Sequence, residues 1–222
     1  MKLLLATHNE HKRREFERLL AGHEVEALPD EVELPPEDGE TFAENALGKA
    51  RAAARATGRV TIADDSGIEA RALGGAPGVR SARYAGERAT DEENLAKLLR
   101  EAPAGSGLAY VCALVYIDPR TGVERVVEAR CTGRLAAEPR GAGGFGYDPA
   151  FVPEQIPPDD GGRPGEEEGQ PEDRPAGEGG DERTMAELSD AQKDAISHRG
   201  RAVRALVEWL ASEPAERPLR AG

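Results

Sequence analysis

Four short strings carry most of the side chains able to do chemistry: THNEHK at residues 7–12, ADDSG at 63–67, GFGYDP at 144–149 and SHRG at 197–200. Each mixes small or turn-forming residues with acids or bases. Phe145 offers an aromatic face to a flat ligand, and Gly146, Tyr147 and Asp148 can read that ligand's edge. Asp64 and Asp65 are adjacent carboxylates, and neighbours on extended backbone point to opposite faces. One is then free to ligate a metal while the other meets water or substrate. Such oxygen donors suit Mg2+, which usually keeps several waters and adds substrate phosphate oxygens. Glu37 and Glu44 are further oxygen donors, one on each side of an expected helix start. A carboxylate at position 65 is placed to orient or deprotonate a water that attacks phosphorus.

The string at 7–12 links an expected strand to an expected helix. A helix N-terminus presents free N–H groups to a phosphate, Lys12 adds a point charge, and Thr7 and Asn9 add donors. No GxxxxGK[ST] string occurs. Lys49 follows Asn45 by one helical turn, so both share a face. Lys193, His198 and Arg199 gather near the start of the last helix, where a His–Arg pair can hydrogen-bond a nucleobase edge or a phosphate. Any one string also fits an ordinary turn or cap. Four together point to a common site.

The elements that must position these residues follow from periodicity. Residues 2–6 read as a short buried strand, and Phe16, Leu19 and Leu20 recur at helical spacing after Asn9. Residues 25–28 read as a second strand and 29–39 as an acidic loop. An alanine-rich helix covers 41–57, and a short strand over 60–63 would deliver Asp64 and Asp65 at its C-terminal end. Residues 74–78 form a turn. Thr90 with Glu93 is a capping-box pattern for a helix to Leu99, and Ser189 with Gln192 is another. Residues 108–117 and 123–133 form a hairpin around Asp118-Pro119-Arg120-Thr121-Gly122. A last amphipathic helix carries Val203, Leu206, Val207 and Leu210. Strands alternate with helices but a hairpin interrupts them, so the expected fold is α/β with a mixed β-sheet flanked by helices.

The 222 residues suffice for one domain or a two-lobed one with a real core, expected to span 1–212. The net charge of −13 argues against a nucleic-acid-binding surface. Cys112 and Cys131 lie in β-like runs and read as buried free thiols. The first apolar run is too short for a membrane span or a signal segment, so a soluble cytoplasmic protein is expected. Residues 154–183 hold seven glycines, five prolines and eleven acids against three arginines. They read as a disordered loop insertion, and 213–222 as a flexible tail.

With these segments assembled, the chain resembles the inosine triphosphate pyrophosphatase family. The resemblance rests on THNEHK, EDGETFAENALGKA, ADDSG, LGGAPGVRSARYAG, GGFGYDP and MAELSDAQKDAISHRG, in that order, over about residues 1–153 and 184–210. It implies a Mg2+-dependent homodimer whose two lobes enclose a nucleotide. It implies hydrolysis of ITP, dITP and XTP to the monophosphate and pyrophosphate. The phosphate-binding turn of that family falls on Thr7, His8, Asn9, Glu10, His11 and Lys12, and its helical lysine on Lys49. Its metal-binding glutamate falls on Glu37, its metal-binding and proton-accepting aspartate on Asp65, and the substrate-contacting serine on Ser66. The base-stacking loop falls on Phe145, Gly146, Tyr147 and Asp148, and the remaining substrate contacts on Lys193, His198 and Arg199. Two departures stand out: Asp38 replaces the threonine usual after the glutamate, and 154–183 is inserted. The implied mechanism has Asp65 activating a water against the phosphorus nearest the sugar, with Phe145 stacked on a 6-keto purine. A related pyrophosphatase for modified pyrimidine nucleotides, or a nucleotide-binding protein without turnover, are the alternatives. The SHRG string and the acid at position 65 argue against them.

Overall fold

The computed structural model describes residues 1–158 and 182–212. The expected disorder of the insertion falls mostly on 159–181, outside the described residues, as does the tail at 213–222. Strands β1 (Lys2–Leu5), β2 (Glu24–Ala27), β3 (Thr61–Ala70), β4 (Gly107–Asp118), β5 (Val123–Leu135) and β6 (Phe151–Pro153) form one sheet in the order β2-β1-β3-β4-β5-β6. β2, β1 and β3 run parallel, and β4 to β6 add on antiparallel. The mixed sheet expected from the sequence is therefore present, with the hairpin as β4–β5.

Helices cover both faces. α2 (Phe42–Thr57) lies on one, and its Ala46, Ala50 and Ala53 pack on Leu4, Ala63, Ala113 and Val115. Alanines at these positions let the helix axis approach the sheet closely. α1 (Glu10–Leu19) and α5 (His198–Ser212) lie on the other face, where Phe16, Val203 and Leu206 meet Leu3, Ile62 and Leu114. α3 (Asp91–Glu101) closes the far end of the sheet with Leu95 and Leu98 near Tyr110 and Phe151. α4 (Asp190–Ile196) runs into α5 at Ser197. Each sequence-read capping box forms, at Thr90 and at Ser189. Cys112 and Cys131 are buried and unpaired.

β3 differs from its expected extent. It spans ten residues, so Asp64 and Asp65 sit in mid-strand, paired in register with Leu114 and Ala113. The reason is the partner. β1 accompanies β3 only to Ile62, while β4 accompanies it to Ala70. The acids thus stand just past the end of the parallel pair, where one edge of β3 opens, although the strand itself continues.

Candidate active site

Alternation along β3 sends its two acids to different faces. Asp64 shares the Ile62 side and meets α1 and α5. Asp65 shares the Ala63 side and meets α2. Asp64 is fully buried, with Lys12 Nζ at 3.1 Å, Arg199 Nε at 3.2 Å and the Ser66 hydroxyl donating at 3.0 Å, all to Oδ2. Burial pushes its pKa up, but the cations of Lys12, Arg199 and Lys49 outweigh burial and hold it far below the usual carboxylate range. Among the described residues Asp65 accepts from Asn45 Nδ2 alone, at 2.9 Å, with Lys49 Nζ 3.7 Å from its other oxygen. Here burial prevails and the pKa is raised.

Glu37 comes from the irregular segment before α2. Its carboxylate meets Lys49 Nζ at 2.5 Å, so the ammonium lies between Glu37 and Asp65. Burial opposes the charge of Glu37, and Lys49 overrides burial to lower its pKa. Gly39 approaches α2 so closely that a Cβ there would lie 2.7 Å from Asn45 Oδ1. The Gly39 N–H donates to that oxygen at 2.8 Å, which turns the Asn45 amide nitrogen toward Asp65. Glu44, read from the sequence as a possible oxygen donor, caps α2 instead, accepting from Glu40 N and Thr41 N. Asp38 is exposed.

The opposite wall is built by α1, α4, α5 and the 144–149 loop. Ser197 caps α5 through Gly200 N at 3.0 Å, and a Cβ at Gly200 would strike Asp194 O at 1.9 Å. This tight junction delivers His198 and Arg199 inward on the first turn of α5. Arg199 donates to Asp64, to Glu15 and, at 2.6 Å, to Ser66 Oγ. Lys193 lies 2.6 Å from Glu15 and 2.8 Å from Asp148. Asp148 also accepts from Tyr110 OH at 2.9 Å and from Phe145 N at 3.0 Å, and the latter bond shapes its own loop. His198 stacks on Tyr110 at 4.7 Å and 9°, and its Nδ1 has no partner among the described residues. Burial, helped by Arg199 and Lys193, lowers its pKa well below the usual imidazole value and keeps it neutral.

Together these groups enclose a cavity of about 390 Å³. Thr7, His8, Asn9, Lys12, Glu37, Lys49, Asp65, Ser66, Phe145, Gly146, Tyr147, Asp148, Lys193, His198 and Arg199 all line it. Two residues of the phosphate string do not. Glu10 turns to Arg13 Nη2 at 2.6 Å, and His11 stacks on Phe145 at 5.2 Å and lines an adjacent depression. Sequence reasoning missed Glu15, Tyr110 and Asp91. Glu15 stands three residues after Lys12, a spacing that puts both on one helix face and was available to find it. Asp91 lines the cavity and accepts from Gly146 N at 2.9 Å, tying the Phe145 loop to α3. Tyr110 left no signal beyond an aromatic in a β-run.

Glu37 and Asp65 fit a divalent cation. Both are hard oxygen donors on one wall, with two carboxylates to one ammonium. Among the described residues no group of three or more His, Cys, Asp or Glu side chains forms a cage. A pair of carboxylates that leaves room for waters and phosphate oxygens is the usual arrangement for Mg2+.

A mixed α/β sheet whose cavity carries acids at one end and an aromatic loop with buried cations at the other defines a small-molecule-binding α/β protein. The sequence profile of the Ham1 family matches residues 3–209. A dITP/XTP pyrophosphatase of Frankia alni is 44% identical over 223 residues, covering 95% of this chain and 97% of that protein. A HAM1 protein from Coxiella burnetii has a solved structure that superposes with a TM-score of 0.74 at 34% identity, covering 96% of this chain and all of that one. A nucleoside-triphosphatase / dITP/XTP pyrophosphatase of Mycobacterium abscessus superposes with a TM-score of 0.64 at 40% identity, covering 93% and 99%. The chain belongs to the Ham1 family.

Proposed function

We propose that the chain hydrolyses non-standard purine nucleoside triphosphates, ITP, dITP and XTP, to the monophosphate and pyrophosphate. The observation that carries this reading is the pair Asp64 and Asp65. Consecutive carboxylates in one strand face opposite ways, Asp64 locked to Lys12 and Arg199 and Asp65 on the cavity wall beside Asn45, and their pKa values shift in opposite directions. Divergent pKa values at one site mark a division of labour between binding and proton transfer. The related pyrophosphatases support the substrate class.

In this reading Asp65 takes a proton from a water as its oxygen bonds to the α-phosphorus. The bond from that phosphorus to the bridging oxygen of the β-phosphate breaks, and its electron pair leaves with pyrophosphate. Asn45 holds the Asp65 carboxylate in orientation, and Lys49 and Lys12 offset phosphate charge. Amides at the start of α1 add donors. Glu37 and Asp65 would hold Mg2+, which when bound screens phosphate charge and polarises the water. Phe145 stacks on the base, and the 6-keto edge is read near Asp148, His198 and Arg199. A 6-amino group there would face donors with a donor, which costs binding.

The cation, a homodimeric assembly and a cytoplasmic location are parts of the same proposal. Among the described residues no helix is long and apolar enough to cross a membrane. A panel of ITP, XTP, dITP, GTP, ATP and modified UTP and TTP with Mg2+ tests the reading, with pyrophosphate and phosphate assayed separately. ITP-type substrates should be turned over fastest, with pyrophosphate as product. Phosphate release, or faster turnover of the pyrimidines, would sink it.

A further inference from the structure

The two carboxylates facing the proposed cation come from unequal supports. Asp65 stands on a central strand. Glu37 stands in a segment without helix or strand between β2 and α2. We infer that Arg83 is the positioning residue that fixes Glu37 relative to Asp65, gripping the Glu37 main chain from a support built on β3 itself.

That support is the 3-10 segment Gly78–Arg83. It lies on β3 directly after the acids. The Ser81 hydroxyl accepts from Ile68 N at 2.8 Å and donates to Gly78 O at 2.6 Å. Gly67 makes the contact possible, because a Cβ there would stand 2.4 Å from Ser81 Oγ and 2.7 Å from Gly78 O. The segment is also tied behind, where Asn94 Nδ2 donates to Ala82 O at 3.1 Å, and on the base side, where Tyr147 OH donates to Ser81 O at 2.7 Å. From this platform Arg83 Nη2 donates to the Glu37 carbonyl at 2.6 Å. Its Nε lies 3.8 Å from Glu87, which is highly exposed and so a weak competitor.

Val32 and Leu34 pack the earlier part of the segment into the core with α2 and β3, but around Glu37 the other polar ties are few. Lys49 meets the Glu37 carboxylate, and Asn45 receives the Gly39 N–H. Both come from α2 and hold the segment to that helix. Each also reaches Asp65, Lys49 at 3.7 Å and Asn45 at 2.9 Å, so both bridge through the helix; Arg83 alone among these three grips the segment from a support outside α2. Lys49 engages one oxygen of the Glu37 carboxylate itself. Arg83 holds a main-chain atom and leaves the carboxylate free, so its grip persists when the carboxylate changes partner. Residues that orient metal ligands in this way typically govern affinity about 10- to 100-fold.

This inference rests on the proposed cation site, and its test separates the two. Arg83→Met keeps most of the stem and removes the donors; Arg83→Lys restores one. Mn2+ affinity of the full chain is measured by its paramagnetic resonance signal, and inosine monophosphate affinity by calorimetry in EDTA. Arg83→Met should weaken Mn2+ binding about 10-fold or more. It should leave inosine monophosphate affinity within about twofold, since the base and phosphate groups are untouched. Arg83→Lys should recover part of the loss. Unchanged Mn2+ affinity in Arg83→Met, or equal losses for both ligands in both variants, would overturn the role of Arg83. Should Arg83→Met fail to fold, Arg83→Lys alone decides, by whether Mn2+ affinity falls while monophosphate affinity holds. A parent protein that binds Mn2+ no better than its Asp65→Asn variant would overturn the cation site and this inference with it.

Discussion

On the α1 and α5 side of the cavity, every acid has a cation; on the α2 side, acids outnumber cations. Glu15, Asp64 and Asp148 face Lys12, Lys193 and Arg199 in a closed network. Glu37 and Asp65 share Lys49. Burying a balanced network is costly to desolvate, and what it returns here is fixed geometry around the Phe145 loop. The unbalanced side keeps spare lone pairs and a basic carboxylate. Sequence neighbours, Asp64 and Asp65, are separated in role by nothing more than the two-residue repeat of a strand.

The contrast is broken most severely at Asp65. Asp65→Asn should fold normally and lose turnover by at least ~100-fold, the usual scale for a general base. Inosine monophosphate should still bind, since the balanced side is intact. Steady-state kinetics at saturating Mg2+ will show it, and a variant within about threefold of the parent would remove Asp65 from proton transfer.

Glu15→Gln attacks the balanced side. It leaves Lys193 and Arg199 short of one buried partner, and urea denaturation at pH 7 should register a loss of roughly 2 kcal/mol. Burial raises the Glu15 pKa, but Arg199 and Lys193 prevail and lower it. Its stabilising effect is therefore complete above the unfolded glutamate value of about 4.3 and fades as pH falls through the lower folded value. The stability gap between parent and variant should narrow as pH drops below about 4, and a gap constant down to pH 2 would contradict the charge account.

Phe145→Ala should sharpen the division further. ITP binding is expected to weaken by about 1–3 kcal/mol through the lost stacking face, with pyrophosphate binding unchanged. Calorimetry with both ligands tests this; equal losses would mean the phosphate end depends on the loop.

The smallest effect is expected from excising 159–181. Residues on either side are kept because Pro157 O accepts from Gln192 and Glu182 O from Arg140. A short glycine linker should alter stability by less than ~1 kcal/mol, since loop closure depends weakly on length. Removing acidic residues should modestly improve nucleotide affinity at low salt, a gain that screening abolishes. Complete loss of activity in the folded protein would refute a passive insertion.

Local patterns revealed nearly all of the frame. Capping boxes at Thr90 and Ser189, helical spacing after Asn9 and the turn at 118–122 are encoded within a few residues of where they act. The extent of β3 was hidden, because a strand that outruns one neighbour is sustained by another far along the chain, as where Asp64 pairs with Leu114. Glu44 misled for a related reason: an acid near a helix start serves a cap as readily as a metal, and only its contacts decide. Glu15 and Tyr110 matter through partners distant in sequence, Lys193 and Arg199 for one and Asp148 for the other. Helical spacing after Lys12 could have brought Glu15 to notice, but neither residue's partners are written near it in the sequence.

The two buried sulfurs have a practical consequence. Burial pushes the Cys112 thiol up to about 12 and the Cys131 thiol to about 11. The thiolate is the species that reacts with alkylating dyes, so both native sulfurs are silent at neutral pH in the folded protein. A single Ala142→Cys substitution on the exposed rim beside Phe145 would then be the sole labelling point. Fluorescence from that site can report nucleotide arriving beside Phe145, with the native sequence otherwise left whole.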